Sequence, residues 1–274
     1  MEIDVSAVDR WERYQYNFDY QLIRNIDICD FTLLRVVSRI GSNSVEGEVF
    51  KIFIQDKYFA MKIMPLINFA SIAKNENEIR IASMVSGKYF LRVYAHKRCE
   101  NVYFNFHTSN FYDSSMMFAY AKHISELIPK ERVKRFIANF KLGKFQTVQD
   151  FQSYLNSIGY ENWDLSVVSA SADLMISELV WGDLATYLTL FQIDLKDIIT
   201  QVKEALYELH YKFHVKHNDI HLGNILVRDL DSFQLLIHDF GKSEIYTDFE
   251  NTKYYFEQDF KFFVDKLEEF VDKL

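Results

Sequence analysis

Apolar and polar residues alternate in the first third of the chain and fall into helical stripes later on. Tyr58-Phe59-Ala60-Met61-Lys62-Ile63-Met64 sets Ala60 and Lys62 on one face and Phe59, Met61 and Ile63 on the other, the period-two pattern of a strand. Ser71 to Val85 carries Ile72, Ile79, Ala82 and Met84 at helical spacing. Leu174 to Leu184 reads as a strand running into a turn, and Leu195, Ile198, Ile199, Val202, Leu206 and Leu209 mark an amphipathic helix. Ile225-Leu226-Val227 and Leu235-Leu236-Ile237 read as two short strands joined by the polar turn Asp229-Leu230-Asp231-Ser232. A last helix from about Tyr254 places Phe260, Phe263, Val264, Leu267, Phe270, Val271 and Leu274 on one stripe.

Polar residues concentrate around the short hairpin. His217-Asn218-Asp219-Ile220-His221-Leu222-Gly223-Asn224 precedes it and Asp239-Phe240-Gly241 comes after it. The hairpin holds Asn224 and Asp239 at neighbouring strand ends, with Asp219 close by. Such a cluster can hold Mg²⁺ on a nucleoside triphosphate while Asp219 orients an attacking hydroxyl.

These residues resemble the protein kinase superfamily, whose catalytic loop carries an Asp followed by an Asn and whose Asp-Phe-Gly supplies a metal-binding Asp. The resemblance implies an α+β, two-lobed protein kinase-like fold, with a β-rich small lobe that carries an insertion and a shortened helical large lobe, and ATP and Mg as cofactors. It implies Asp219 as catalytic base and Asn224 and Asp239 as metal ligands. Upstream parts stand in the family's order. Arg39 to Phe50 is similar to the phosphate-covering loop, with Gly41, Gly47 and Val49 in place and Asn43 where the middle glycine would stand. Ala60-Met61-Lys62 matches the strand that carries the phosphate-positioning lysine. Glu78 is the first candidate partner for Lys62 and Glu76 the second. Glu178, Leu179 and Val180 match the hinge beside adenine, with Ser177 as gatekeeper. Asp183 either reaches the ribose or caps the next helix.

Other features depart from the family. His221 stands where protein kinases carry a Lys that contacts the transferring phosphate; a His there resembles aminoglycoside and choline phosphotransferases and the haspin branch. Asn218 replaces Arg, as in the choline kinase group, which removes the pocket for an activation-loop phosphate. From Gly241 to Leu274 there is room for one helix and no Ala-Pro-Glu, so the large lobe reads as shortened. This compact form resembles some kinases of large DNA viruses.

The chain divides into three segments. Residues 1–34 form an N-terminal extension, with Trp11, Tyr14, Phe18 and Leu22 at helical spacing. Residues 35–177 form the small lobe, including a helical insertion at about 99–172, and residues 178–274 the hinge and shortened large lobe. Lys130, Arg132, Lys134, Arg135, Lys141 and Lys144 make the insertion basic, either a solvated face or a docking site for an acidic partner.

Composition narrows the function classes. Hydrophobic residues are 49% with 8 Gly and 2 Pro, which favours a packed core. A net charge of −8 argues against broad nucleic-acid binding. No apolar run reaches a membrane span, and the start shows no signal peptide. Cys29 and Cys99 form no metal pattern and suggest a reducing compartment, hence a cytoplasmic location, that of the host if the chain is viral. The reading favours a Ser/Thr protein kinase with a protein substrate. A small-molecule phosphotransferase and a silent pseudokinase scaffold are the alternatives. The catalytic set is Asp219, Lys62 and His221; the nucleotide-binding set is Gly41, Gly47, Val49, Ala60, Lys62, Glu78, Glu178, Val180 and Asp183.

Overall fold

The alternation around Lys62 becomes a long strand at the centre of the main sheet. In the computed structural model, residues 19–30, 33–40, 48–66, 69–105, 153, 157, 167–192 and 194–273 are described. Strands β1 (Arg35–Ile40), β2 (Glu48–Ile54), β3 (Lys57–Pro65), β4 (Val93–Asn105) and β5 (Val167–Glu178) form one antiparallel sheet in the order β1-β2-β3-β5-β4. Met61, Ile63, Phe59 and Ile52 are buried on the face opposite Lys62. Helix α1 (Phe69–Met84) comes after β3, somewhat earlier than the apolar stripe suggests. Its buried stripe is Asn75, Glu78, Ile81 and Ala82, while Met84, read from sequence as a core position, is exposed. The stripe is mixed polar and apolar because the helix faces charged partners at one end.

Strand pairing between β4 and β5 continues to Asn105↔Val167, past Cys99 and before Ala172. The helical stretch read from sequence therefore belongs between these paired ends, and except for Ser153 and Ser157, both helical, it lies outside the described residues. So do the basic patch, Gly41 and Gly47 of the glycine loop, and Trp11, Tyr14 and Phe18. Of the N-terminal stretch, residues 19–24 are helical and Ile23 and Ile28 are buried. Cys29 forms a disulfide with Cys99 on β4, Cα atoms 5.5 Å apart. The pairing removes the support that free cysteines gave to a reducing compartment; nothing in their spacing announced it.

The second half is mainly helical. A short β6 (Gly182–Asp183) leads into α2 (Leu184–Leu190) and then α3 (Leu195–Phe213). Helix α3 buries Ile198, Val202, Ala205, Leu206, Leu209 and His210, a spacing of three and four that gives one continuous face. It ends at His214, whose left-handed backbone (φ 55°) lets its N–H cap Leu209. Next come β7 (Val215–Lys216), β8 (Ile225–Val227), β9 (Leu235–Ile237) and β10 (Glu244–Ile245). β8 and β9 make the antiparallel hairpin read from sequence, with Ile225 opposite Ile237, and β6 joins its open edge. β10 pairs with β7. Helix α4 (Thr252–Val271) packs along α3 and buries Thr252, Asp259, Phe263 and Leu267. The two halves join where Tyr89 and Leu91 exchange backbone hydrogen bonds with Ile237.

Phe263 is fully buried in the core of the helical half, so Phe263→Ala should cost about 3–5 kcal/mol of unfolding free energy. Tyr254→Ala, at an exposed position of the same helix, should stay within about 0.5 kcal/mol. Urea unfolding of both variants checks the docking of α4; equal, small effects would show that the helix is a loose appendage.

Candidate active site

β3 delivers Lys62 to the interior. Val49 and Met175 pair with Lys62 across the sheet, and Ser177 pairs with Ala60. Directly opposed residues share a face, so these five line the same side of the sheet. Lys62 Nζ lies 2.6 Å from Glu78 Oε1 and 3.7 Å from Asp239 Oδ2. Glu76, the alternative partner, points elsewhere and pairs with Arg98, which also binds Asp173. Burial works against the charge on Lys62, but the Asp239 and Glu78 carboxylates outweigh it and hold its pKa above the ordinary lysine value. Asn75 donates to the Met64 carbonyl at 3.2 Å and so pins α1 to the end of β3.

The loop that carries Asp219 is held from below by α4. Asp259, buried, accepts the backbone N–H of His217 at 2.7 Å and of Asn218 at 3.1 Å, and pairs with His210 Nε2 at 3.0 Å. Burial alone would raise its pKa; the His210 and His217 donors overcome this and lower it. Asn218 takes a left-handed backbone (φ 64°), a conformation Asn tolerates better than Arg. Its side chain donates to the Lys242 carbonyl at 3.0 Å. Asp219 is next in the chain, its Oδ2 2.8 Å from Lys242 Nζ and 3.9 Å from His221 Nε2. His221 Nδ1 accepts the Gly223 N–H at 3.1 Å and caps the short turn Leu222–Asn224.

Asn224 donates its amide N–H to the Asp219 carbonyl at 2.9 Å. That leaves its amide oxygen, a hard ligand atom, with no hydrogen-bond partner among the described residues. On the facing strand end, Asp239 is left-handed (φ 62°) and its Oδ1 accepts the Gly241 N–H at 3.3 Å. Burial would raise the Asp239 pKa, but the nearby Lys62 charge reverses this and keeps the carboxylate ionised. Among the described residues no group of three or more His, Cys, Asp or Glu forms a metal cage. One carboxylate and one amide oxygen suit Mg²⁺, which takes few protein ligands and completes its shell with phosphate and water.

The hinge residues divide. Glu178 turns its carboxylate to Arg228 (3.1 Å) and to the Arg92 N–H (2.8 Å), so its side chain braces the junction. Its backbone N–H donates to the Arg92 carbonyl at 3.0 Å, which leaves its carbonyl and the backbone of Val180, just past the end of β5, as the hinge groups nearest a base. Asp183 caps α2, accepting from Thr186 N at 2.7 Å and Thr186 Oγ1 at 3.0 Å, the second of the two roles read from sequence. Three contributors went unread: Lys242, His210 and Asn77, which donates to the Phe240 and Ser243 carbonyls at 3.3 and 2.7 Å. His210 was legible in principle, since it extends the buried stripe of α3 at Leu206 and Leu209.

A five-stranded sheet with an inward Lys–Glu pair, a hinge and a helical half bearing Asp219, Asn224 and Asp239 defines a protein kinase-like domain of the α+β class. The family model for the ABC1 atypical kinase-like domain matches residues 166–267, from β5 through most of α4. No curated protein matches the chain. No helix among the described residues is long and apolar enough to cross a membrane.

Two histidines behind the site give stability a pH dependence. Burial pushes His238 down to about 4 from 6.5, and lowers His217 as well. The unfolded chain then takes up these protons before the folded one does. Stability is therefore full above pH 6.5 and falls as the pH drops toward about 4, by at most about 3 kcal/mol for His238. Denaturant titrations from pH 7.5 to 4 should show the loss, and His238→Gln should flatten it. An unchanged profile in that variant would contradict the assignment.

Proposed function

We propose that the chain is a kinase that transfers the terminal phosphoryl of ATP to a Ser or Thr hydroxyl of a protein. The observation that carries this reading is the ion pair between Lys62 and Glu78 at 2.6 Å with Asp239 also within reach of Lys62 at 3.7 Å. A chain that only binds partners has no chemical need to bury two carboxylates around a lysine, since burying charge is costly unless each group is paired. Lys62 would neutralise the α- and β-phosphates, with Glu78 fixing its direction. Asp239 and Asn224 would hold Mg²⁺, which supplies positive charge at the phosphates. Val49, Ala60 and Ser177 would pack over adenine, with the backbones of Glu178 and Val180 beside it. Gly41 and Gly47 would cover the phosphates. Asp219 accepts the proton of the attacking hydroxyl, and His221 lies beside it.

The short segment after Asp-Phe-Gly favours a protein acceptor. Residues 242–251 hold only β10 and one tight turn before α4 begins. No helix of that segment walls the side next to Asp219, and an extended polypeptide can present its hydroxyl from outside. The segment also lacks a platform for the longer tyrosine side chain. A small-molecule phosphotransferase is the second reading, favoured by His221 and Asn218 in the catalytic loop. The basic insertion would offer a docking site for an acidic protein partner. A cytoplasmic location fits a phosphoryl donor held at high concentration there.

Labelled ATP with and without generic protein substrates tests the acceptor. Label should enter Ser or Thr of protein; rapid transfer to a small alcohol such as choline or an aminoglycoside, with none to protein, would replace this reading with the second. Lys62→Ala and Asp239→Asn should each lower kcat/KM by roughly a hundredfold or more while the protein stays folded, since each charge acts mainly in the transition state. Wild-type turnover by either variant would remove the kinase assignment.

A further inference from the structure

The residue after Asp-Phe-Gly occupies an unexpected place. Lys242 Nζ lies 2.8 Å from Asp219 Oδ2, and its side chain is 54% exposed. Its backbone is tied into the site as well. Its carbonyl accepts from Asn218 at 3.0 Å. The nearby carbonyls of Phe240 and Ser243 accept from Asn77, and Ser243 Oγ donates to the His217 carbonyl at 3.1 Å. Two residues on, Glu244 pairs with Lys216 in the β7–β10 ladder. The main chain at Lys242 is thus fixed against both the catalytic loop and α1.

The other candidate cations are already engaged. Lys62 is held between Glu78 and Asp239. Lys74 lies against Gly241, where it lowers the pKa of Asp239. His221 takes the Gly223 N–H at Nδ1, so its ring is committed to capping the turn that positions Asn224. Among the described residues, Lys242 is the Lys or Arg whose side chain pairs with Asp219.

We propose that Lys242 is the lysine that contacts the transferring phosphoryl, filling the role that the residue at position 221 leaves open. This deepens, and rests on, the kinase function proposed for the same site. An exposed ion pair is worth little, about 0–1 kcal/mol, so the ammonium can leave Asp219 when a triphosphate offers more charge. Asp219 is then free to take the hydroxyl proton. The hydroxyl oxygen forms the new bond to phosphorus, the bond to ADP breaks, and ADP leaves with that electron pair. Lys242 stabilises the charge on the phosphoryl oxygens throughout, from a place set by Asn218 and Asn77.

The test uses the full chain with Lys242→Met and Lys242→Arg, and two readouts. In phosphoryl transfer, Lys242→Met should lower kcat about a hundredfold, and Lys242→Arg should restore part of it. In nucleotide titrations with Mg²⁺, Lys242→Met should weaken a non-hydrolysable ATP analogue about tenfold and leave ADP within about twofold, because only the triphosphate has the contacted group. A kcat within about twofold of wild type overturns the proposal, as does a rise in kcat, which would make Lys242 a mask on Asp219. Equal effects on ADP and the analogue also overturn it. If the wild-type chain transfers no phosphoryl but the binding difference persists, the kinase reading fails and the Lys242 contact stands.

Discussion

The site depends on one buried carboxylate. Asp259 sits on α4, far along the chain from the residues it serves, and takes the N–H groups of His217 and Asn218 and the ring of His210. Bringing an ion out of water costs several kcal/mol, and only a full set of donors offsets it. Those donors come from α3 and from the catalytic loop, so α4 must dock on α3 for either to be satisfied. Tyr246 completes the arrangement by donating to the His210 carbonyl at 2.9 Å, which ties in the segment after Asp-Phe-Gly. The apolar stripe of α4 supplies the docking energy; Asp259 converts it into a defined loop geometry.

Above the loop, α1 couples the sheet to the helical half through four side chains. Asn75 holds the end of β3, Glu78 holds Lys62, Asn77 holds the backbone around Asp-Phe-Gly, and Lys74 lies on Gly241. These contacts set the charge balance. Glu78, Asp239 and Asp219 are matched by Lys62, Lys74 and Lys242, so the protein alone is close to neutral there. On the proposed function, a triphosphate would add several negative charges that these lysines cannot all meet, and a divalent cation at Asp239 and Asn224 would balance them.

The elements that carry chemistry were legible because their spacing is dictated by a hairpin and by strand alternation. Ile225↔Ile237 pairing puts Asn224 and Asp239 side by side whatever surrounds them. The Lys62 partner was not decidable from apolar residues alone, because the buried stripe of α1 is half polar. Asn75, Glu78, Ile81 and Ala82 share it, and Glu76 does not. The disulfide between Cys29 and Cys99 was invisible, since it records the N-terminal segment lying against β4, a tertiary fact without a local signature. Lys242 was missed for a different reason. A motif template assigns roles by position, and the charge has moved to another segment of the same site.

That relocation explains why Asn stands at 218. Its left-handed backbone, like that of Asp239, is disfavoured by about 1 kcal/mol or more for most side chains, and glycine would relieve it. Both side chains make contacts that glycine could not: Asp239 reaches Lys62 and Asn218 reaches the Lys242 carbonyl. The amide is short enough to tolerate the conformation and long enough to span the gap, whereas an arginine would project past it. Asn218, Lys242 and the capping role of His221 are therefore one substitution pattern. On the proposed function, the catalytic cation would come from the segment after Asp-Phe-Gly; the loop residue before Asp219 holds that segment in place, and the histidine two residues beyond caps the turn that presents Asn224.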